Sequence, residues 1–235
     1  MSAVCENGFF SLSVPEDVLL ELRRGQPHRV QNTAWLIIYF STIRAMTKDA
    51  EVKRKMEDNL WLALADSRLL LESGDLNIHA LILVLGQDLD FMNPSLCWML
   101  TCAACRMLQG LGVTSPQLAP AVKERRRMMF WHLNLMDKGL AIIFGKSPNF
   151  NKRFVREVGA PSLRELQSQS LRPGDTGPSL FASHNLNQKI KLSHIMHSVW
   201  TCVYDDGDLD FTTGATQREA LSSWHAETQQ VRCSI

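Results

Sequence analysis

Apolar residues recur with a helical period over most of this chain, and the longest such pattern lies at residues 124–150. Met129, Leu133, Met136, Leu140 and Ile143 follow one another at spacings of three and four, which sets them on one face of a helix. Phe130, Trp131, Leu135 and Ile142 widen that face, so the helix is predicted to be mostly buried. Arg125, Arg126 and Arg127 stand at its start, and Asp137 lies inside the apolar run. Gly145 is placed to end the helix, because glycine adopts positive φ without steric cost. Pro148 prevents the helix from resuming.

The same pattern predicts further helices on either side. A short one over residues 16–24 has Pro15 and Glu16 at its start and Gly25 past its end. Residues 29–47 carry Val30, Ala34, Ile37 and Ser41 on one line. Residues 50–73 are predicted as one helix, with a charged first part and an apolar second part, Trp61, Leu62, Leu64 and Leu69 to Leu71, that packs. Asp75 or Asn77 is the expected N-cap of the next helix, 76–91, whose line is Ile78, Leu81, Leu85 and Leu89. Asn93-Pro94 opens a fourth, running to about Gln109, in which Ala103, Ala104 and Cys105 would allow close helix approach. Residues 146–183 are rich in Ser, Pro, Gly and Arg and read as a long, partly mobile connection. A later helix spans 184–204. The polar tail 206–235 could hold another over 217–230.

No strand pattern and no internal repeat is visible. The expected fold is all-α: a multi-helical domain over residues 28–205, with antiparallel neighbours joined by short loops up to residue 145, after an irregular lead-in at 1–27.

Composition changes this picture little. A 235-residue chain with 45% hydrophobic residues can bury one sizeable core. A net charge of +1 gives no bulk attraction to nucleic acid. The longest apolar runs fall short of the roughly 20 residues a membrane span needs, and the first residues lack the pattern of a signal peptide. The six cysteines are scattered apart from Cys97, Cys102 and Cys105, and are expected as reduced, buried thiols.

Candidate chemistry is sparse. Hydrolase, zinc-protease and nucleotide-loop motifs are absent from the sequence. His194 and His197 can share a helix face, but two ligands do not complete a metal site. The acidic stretch from Asp206 to Asp210 lacks the glycine and glutamate that a calcium loop requires; an exposed linker or a short acidic–hydrophobic activation segment fits it better. The arginine cluster lies at a helix start, where positive charge is unfavourable to the helix dipole, so acidic partners elsewhere are expected. A buried Asp137 needs hydrogen bonds or an ion pair, with Arg106 and Lys138 as candidates. No catalytic, cofactor-binding or metal-binding residue is assigned.

The residues of the long helix resemble the regulatory domain of fungal zinc-cluster transcription factors, the middle homology region. The signature reads here as Arg125-Arg126-Arg127, Phe130-Trp131, Asp137-Lys138 and Gly145-Lys146-Ser147-Pro148. Upstream, Asn59 to Leu71, Leu76 to Leu83 and Pro94 to Leu100 fit the same family, as does Lys189 to Ile195 downstream. Lysines at 138 and 146 stand where the family has arginine, and Ser147 where it has proline. Arg126, Arg127, Trp131, Asp137, Gly145, Lys146 and Pro148 are thereby expected to be structural members of the motif.

This resemblance implies a nuclear regulator of transcription without enzymatic activity, acting on a metabolic pathway, secondary metabolism included. The chain shows only Cys5 where the family's zinc-cluster DNA reader would lie, and the family's domain continues further. A domain shortened at its C-terminus and without a DNA reader of its own is therefore expected. Its partners would be other transcription factors or coregulators, with homo- or hetero-dimers open and no cofactor. The rival readings are a helical biosynthetic enzyme and a non-functional remnant.

Overall fold

The computed structural model describes residues 14–86, 93–161, 178–205 and 211–233. Among these the protein is all-α, with ten helices and no strand. It divides into two compact units, Met1–Phe130 and Trp131–Ile235.

In the first unit, α1 (Glu16–Arg23) leads through a 3₁₀ turn to α2 (Thr33–Met46), α3 (Ala50–Leu64), the single turn α4 (Arg68–Leu71), α5 (Asp75–Leu85) and α6 (Pro94–Gly110). The start of α7 (Pro120–Phe144) completes it. Short polar residues fix where the helices begin. Asn32, Asp49 and Asn93 each accept a hydrogen bond from a first-turn backbone N–H, which satisfies a donor that the helix itself leaves open. α2 packs against α3 and α5, and α5 against α6. The ion pair Arg44–Glu57 (2.9 Å) and the hydrogen bond from Thr33 to Asp66 place residue 44 opposite 57 and residue 33 opposite 66, so α2 and α3 run antiparallel as expected. Ile37, Leu60, Ile78, Leu81 and Leu108 form the core of this unit, all fully buried. Each contributes about 1.5–3 kcal/mol by leaving water.

The second predicted helix, 50–73, is two. Asp66 breaks it: its carboxylate accepts from the backbone N–H and guanidinium of Arg68 and from Thr33 Oγ1. The Arg68 hydrogen bonds, then those from Thr33, hold the Asp66 carboxyl well below the usual carboxylate range. The bend turns only part of the apolar segment inward. Leu60, Ala63 and Leu69 are buried, whereas Trp61, Leu62, Leu70 and Leu71 are exposed, Leu71 by 79%. The N-cap of α5 is Gly74, with neither Asp75 nor Asn77 capping. Asn77 instead donates to the carbonyls of Leu69 and Glu72, closing the turn before α5. Leu89 and the end of the predicted 76–91 helix lie outside the described residues.

The second unit contains the rest of α7, then α8 (Lys152–Val158), α9 (Pro178–Trp200) with a π-type turn at Thr201–Asp205, and α10 (Phe211–Cys233). α8 forms where a connection was expected. Asn151 caps it by accepting from Phe154 N (2.8 Å). α9 begins earlier than residue 184, and α10 earlier than residue 217. The remainder of the expected connection, 162–177, and the acidic stretch 206–210 lie outside the described residues. Leu186, Ile190 and Ser193 form the buried side of α9. Trp131, Leu133, Leu140 and Phe150 are buried in the same unit, whereas Ile143, the last member of the predicted apolar line, is 67% exposed.

Candidate functional site

Two constellations use the residues that the sequence singled out, one in each unit. The first is built on the beginning of α7. The helix starts at Pro120, so the three arginines occupy its second turn and not its exposed end. Arg125 and Arg126 converge on one carboxylate, Asp75 at the start of α5, with Nη2 of Arg125 at 2.9 Å and Nε of Arg126 at 2.8 Å. Arg126 also donates to the carbonyl of Leu111, just past α6. Arg127 pairs with Glu124 one turn back, at 3.4 Å. Asp75 is only 13% exposed and Arg126 14%; three charge-assisted bonds on a shielded carboxylate are stronger than a surface pair. The acidic partners expected for the arginines are thus present, and Asp75 serves as their acceptor.

The second constellation closes the end of α7. Gly145 has φ of 59°. Its N–H donates to Ile142 O, and that of Lys146 to Ala141 O, the double bond of a Schellman ending. Tyr204 sits over the glycine and donates its hydroxyl to Ile142 O at 3.0 Å. A Cβ at residue 145 would lie 3.2 Å from the tyrosine ring, so both φ and space require glycine here. Lys146 is exposed and Pro148 half-buried.

Beyond the turn, the chain folds back onto Asp137, which is fully buried. One carboxylate oxygen accepts from Asn149 N (2.9 Å) and Asn149 Nδ2 (2.8 Å). The other accepts from Phe150 N (3.1 Å) and Lys138 Nζ (3.3 Å). Lys138, 1% exposed, also donates to the carbonyl of Phe150. Of the two cations considered for Asp137, Lys138 is the partner; Arg106 is exposed on α6. All four acceptor positions of the carboxylate are occupied, so it offers no lone pair to a substrate proton.

Trp131 closes the other side. Its indole N–H donates to Gly159 O at 3.1 Å, and its ring meets the edge of His194 at 5.5 Å between centroids. Burial first, then the positive charge of Lys138, pushes the His194 imidazole below its ordinary value. His197 is lowered by burial and by Lys138, Lys152 and His194, with Asp205 opposing. Among the described residues no group of three or more His, Cys, Asp or Glu could hold a metal ion. Cys97, Cys102, Cys105 and Cys202 form no disulfide, and of these Cys97 and Cys105 are buried.

Asn149, Phe150 and Tyr204 complete this arrangement in roles that the sequence does not point to; Tyr204 reads there only as part of the acidic–hydrophobic segment. Phe150 acts through its backbone N–H and Asn149 through both its backbone N–H and its side-chain amide, and no side-chain motif reports the backbone donors. Tyr204 is far away in sequence.

The chain matches the model of a known family over residues 40–225, described as the fungal specific transcription factor domain. The chain belongs to this family. It is 34% identical over 227 residues to a transcriptional regulator of Claviceps purpurea (strain 20.1), covering 93% of this chain and 36% of that protein. It is 25% identical over 133 residues to an uncharacterized transcriptional regulatory protein of Schizosaccharomyces pombe, covering 53% of this chain and 21% of that protein. The chain thus spans about a third or less of the length of the curated relatives it matches. No solved structure matches it. Among the described residues no helix of this family member is long and apolar enough to cross a membrane.

Proposed function

We propose that the chain is a helical regulatory domain that modulates transcription through protein contacts in the nucleus. The observation that carries this reading is the family match over residues 40–225, joined by relatives named as transcriptional regulators. In this reading the motif residues Arg126, Arg127, Trp131, Asp137, Gly145, Lys146 and Pro148 hold the scaffold and perform no reaction. Their geometry favours that role: the arginines and Asp137 are engaged by protein groups. The chain does not read DNA by itself. Support comes from its near-neutral charge and from arginines whose guanidinium groups are turned to Asp75, Glu124 and the Leu111 carbonyl rather than offered to phosphate. The regulated genes belong to a metabolic pathway, with secondary metabolism as the favoured class. The partners are other transcription factors or coregulators, met singly or as a homo- or hetero-dimer.

The test is a tethering experiment in a fungal host. The chain is fused to an unrelated DNA-binding module upstream of a reporter. Reporter output is expected to move at least about twofold in either direction, and the D137A variant, expected to unfold the end of α7, to abolish the change. A soluble, folded fusion that leaves the reporter unmoved overturns the reading. A mobility-shift assay with the isolated chain is expected to show only weak, salt-sensitive binding; tight sequence-specific binding would refute the claim that it reads no DNA.

A further inference from the structure

The stretch that follows α7 concentrates positive charge. Between residues 139 and 161 stand Lys146, Lys152, Arg153 and Arg156 against one acidic residue, Glu157, in a chain whose net charge is +1. All four cations are exposed. α8 docks by its other side: Phe154 stacks on the buried ring of Phe150, 5.5 Å between centroids, and Val155 and Val158 are half-buried. Lys152 and Arg156, four residues apart, therefore form one outward row. Arg153 and Glu157 form the next, paired at 2.9 Å with the arginine 88% exposed.

The backbone of Lys146 closes α7 by donating to Ala141 O, whereas its side chain is exposed. The same turn sets it beside Tyr204, whose ring lies 3.2 Å from where a Cβ on Gly145 would be. Tyr204 and Val203 are 47% and 38% exposed. The start of α8 adjoins this turn too, because Lys152 and Asp205 both act on the charge of His197. The surface is held from behind: Asp137 fixes the N–H groups of Asn149 and Phe150, and Asn151 caps α8. A surface ordered before binding loses little entropy when a partner arrives.

Fixed cations beside an exposed aromatic and an exposed aliphatic side chain complement a segment that mixes carboxylates with apolar residues. We propose that the face formed by Lys146, Lys152, Arg156, Val203 and Tyr204 docks an acidic–hydrophobic segment of a partner protein. Its carboxylates pair with the three cations, and an apolar side chain lies against Tyr204 and Val203. Asp205 disfavours a carboxylate at that edge and so directs the acidic part of the segment to α8. This names the chemistry of the contact proposed above and rests on that reading for the partner's being a protein.

Fluorescence anisotropy with the full chain tests it. The probe is a short labelled peptide mixing Asp and Glu with Leu and Phe, beside the same peptide with Asn and Gln in their place. The acidic peptide is expected to bind at least about tenfold more tightly than its amide counterpart, and less tightly as salt is raised. Lys146→Glu, and separately the Lys152→Glu, Arg156→Glu double variant, should each weaken it at least about tenfold, with the thermal midpoint unchanged because these side chains are exposed. The Lys152→Gln, Arg156→Gln variant adds no new charge and should weaken it in the same direction. Absence of binding, equal binding of the amide peptide, or binding indifferent to these variants overturns the proposal. A DNA duplex that competes equally well overturns it too, since the face would then hold any polyanion. So does binding seen only after Asp206, Asp208 and Asp210 are changed to Asn, which would make the occupant the chain's own acidic stretch, or self-association that the same variants abolish. The tethered reporter reads separately: a reporter change without peptide binding sinks this inference alone, and peptide binding without a reporter change sinks the regulatory reading alone.

Discussion

A carboxylate removed from water persists only where donors replace its hydration, and Asp137 has four of them. Replacing it by alanine takes the acceptor from two backbone N–H groups and the Asn149 side-chain amide, and leaves the Lys138 ammonium with the Phe150 carbonyl but without its carboxylate. The expected loss for Asp137→Ala is about 3–5 kcal/mol, the cost of leaving a buried charge uncompensated, read as a fall in the denaturant midpoint. Adding Lys138→Met to that variant should return part of the stability, because the stranded charge disappears while the stem still packs. If the double variant is less stable than Asp137→Ala alone, the two residues do not act as a pair. Gly145 makes a second requirement visible. Gly145→Ala combines a left-handed backbone with a Cβ 3.2 Å from Tyr204; about 1–2 kcal/mol comes from the backbone alone. In a Tyr204→Ala background the steric share vanishes, so the same glycine substitution should cost less there. An unchanged cost would leave the tyrosine without a part in the requirement.

At the scale of elements, caps decide where helices start, and Asp49, Asn93 and Asn151 each bond a first-turn N–H. Alanine at each position is expected to cost about 1 kcal/mol, measured as separate shifts in thermal or denaturant midpoint. These caps also show what the sequence could and could not tell. Asn93-Pro94 was legible because proline marks the first turn. Asn151 was not, because α8 is seven residues long and its pattern is too short to stand out beside a Ser- and Gly-rich stretch. The break at residues 65–67 carries neither glycine nor proline; it is made by bonds to the Asp66 carboxylate from Arg68 and from Thr33, the latter distant in sequence. The apolar count of residues 60–71 likewise says how much could be buried, not which side faces inward. Trp61 and Leu62 follow Leu60 directly and are exposed. For the candidate site, Asp137's need of a partner could be read from its apolar neighbours. The identity of its backbone donors could not, since it depends on how the chain turns at Gly145.

Across the molecule, the resemblance to the family was carried in the sequence by the order of dispersed motifs rather than by any one of them, and the response to acid is spread over several separate groups. Carboxylates such as Asp66 and Glu227 have folded values below their ordinary ones, Asp66 chiefly through Arg68 and Glu227 chiefly through Lys191. Their contributions are present above the unfolded carboxylate range and are lost only as the pH falls through and below it, near pH 4 and lower. His194 and His197 act earlier. Both are lowered by burial first and by the Lys138 charge second, with Lys152 adding to His197 and Asp205 opposing. A histidine whose folded value lies below its unfolded value of about 6.5 binds more protons when unfolded. Stability is therefore full above about pH 6.5, declines as the pH falls below it, and levels off once the folded groups have also charged. Between about pH 6.5 and 5 the histidines should dominate the acid limb, because carboxylates of the unfolded chain take up most of their protons below about pH 5. Chemical denaturation at a series of pH values should show that decline in the natural chain. The His194→Gln, His197→Gln double variant should flatten it while leaving the steeper loss below about pH 4 in place. A decline of the same size in the double variant would assign the limb to other groups.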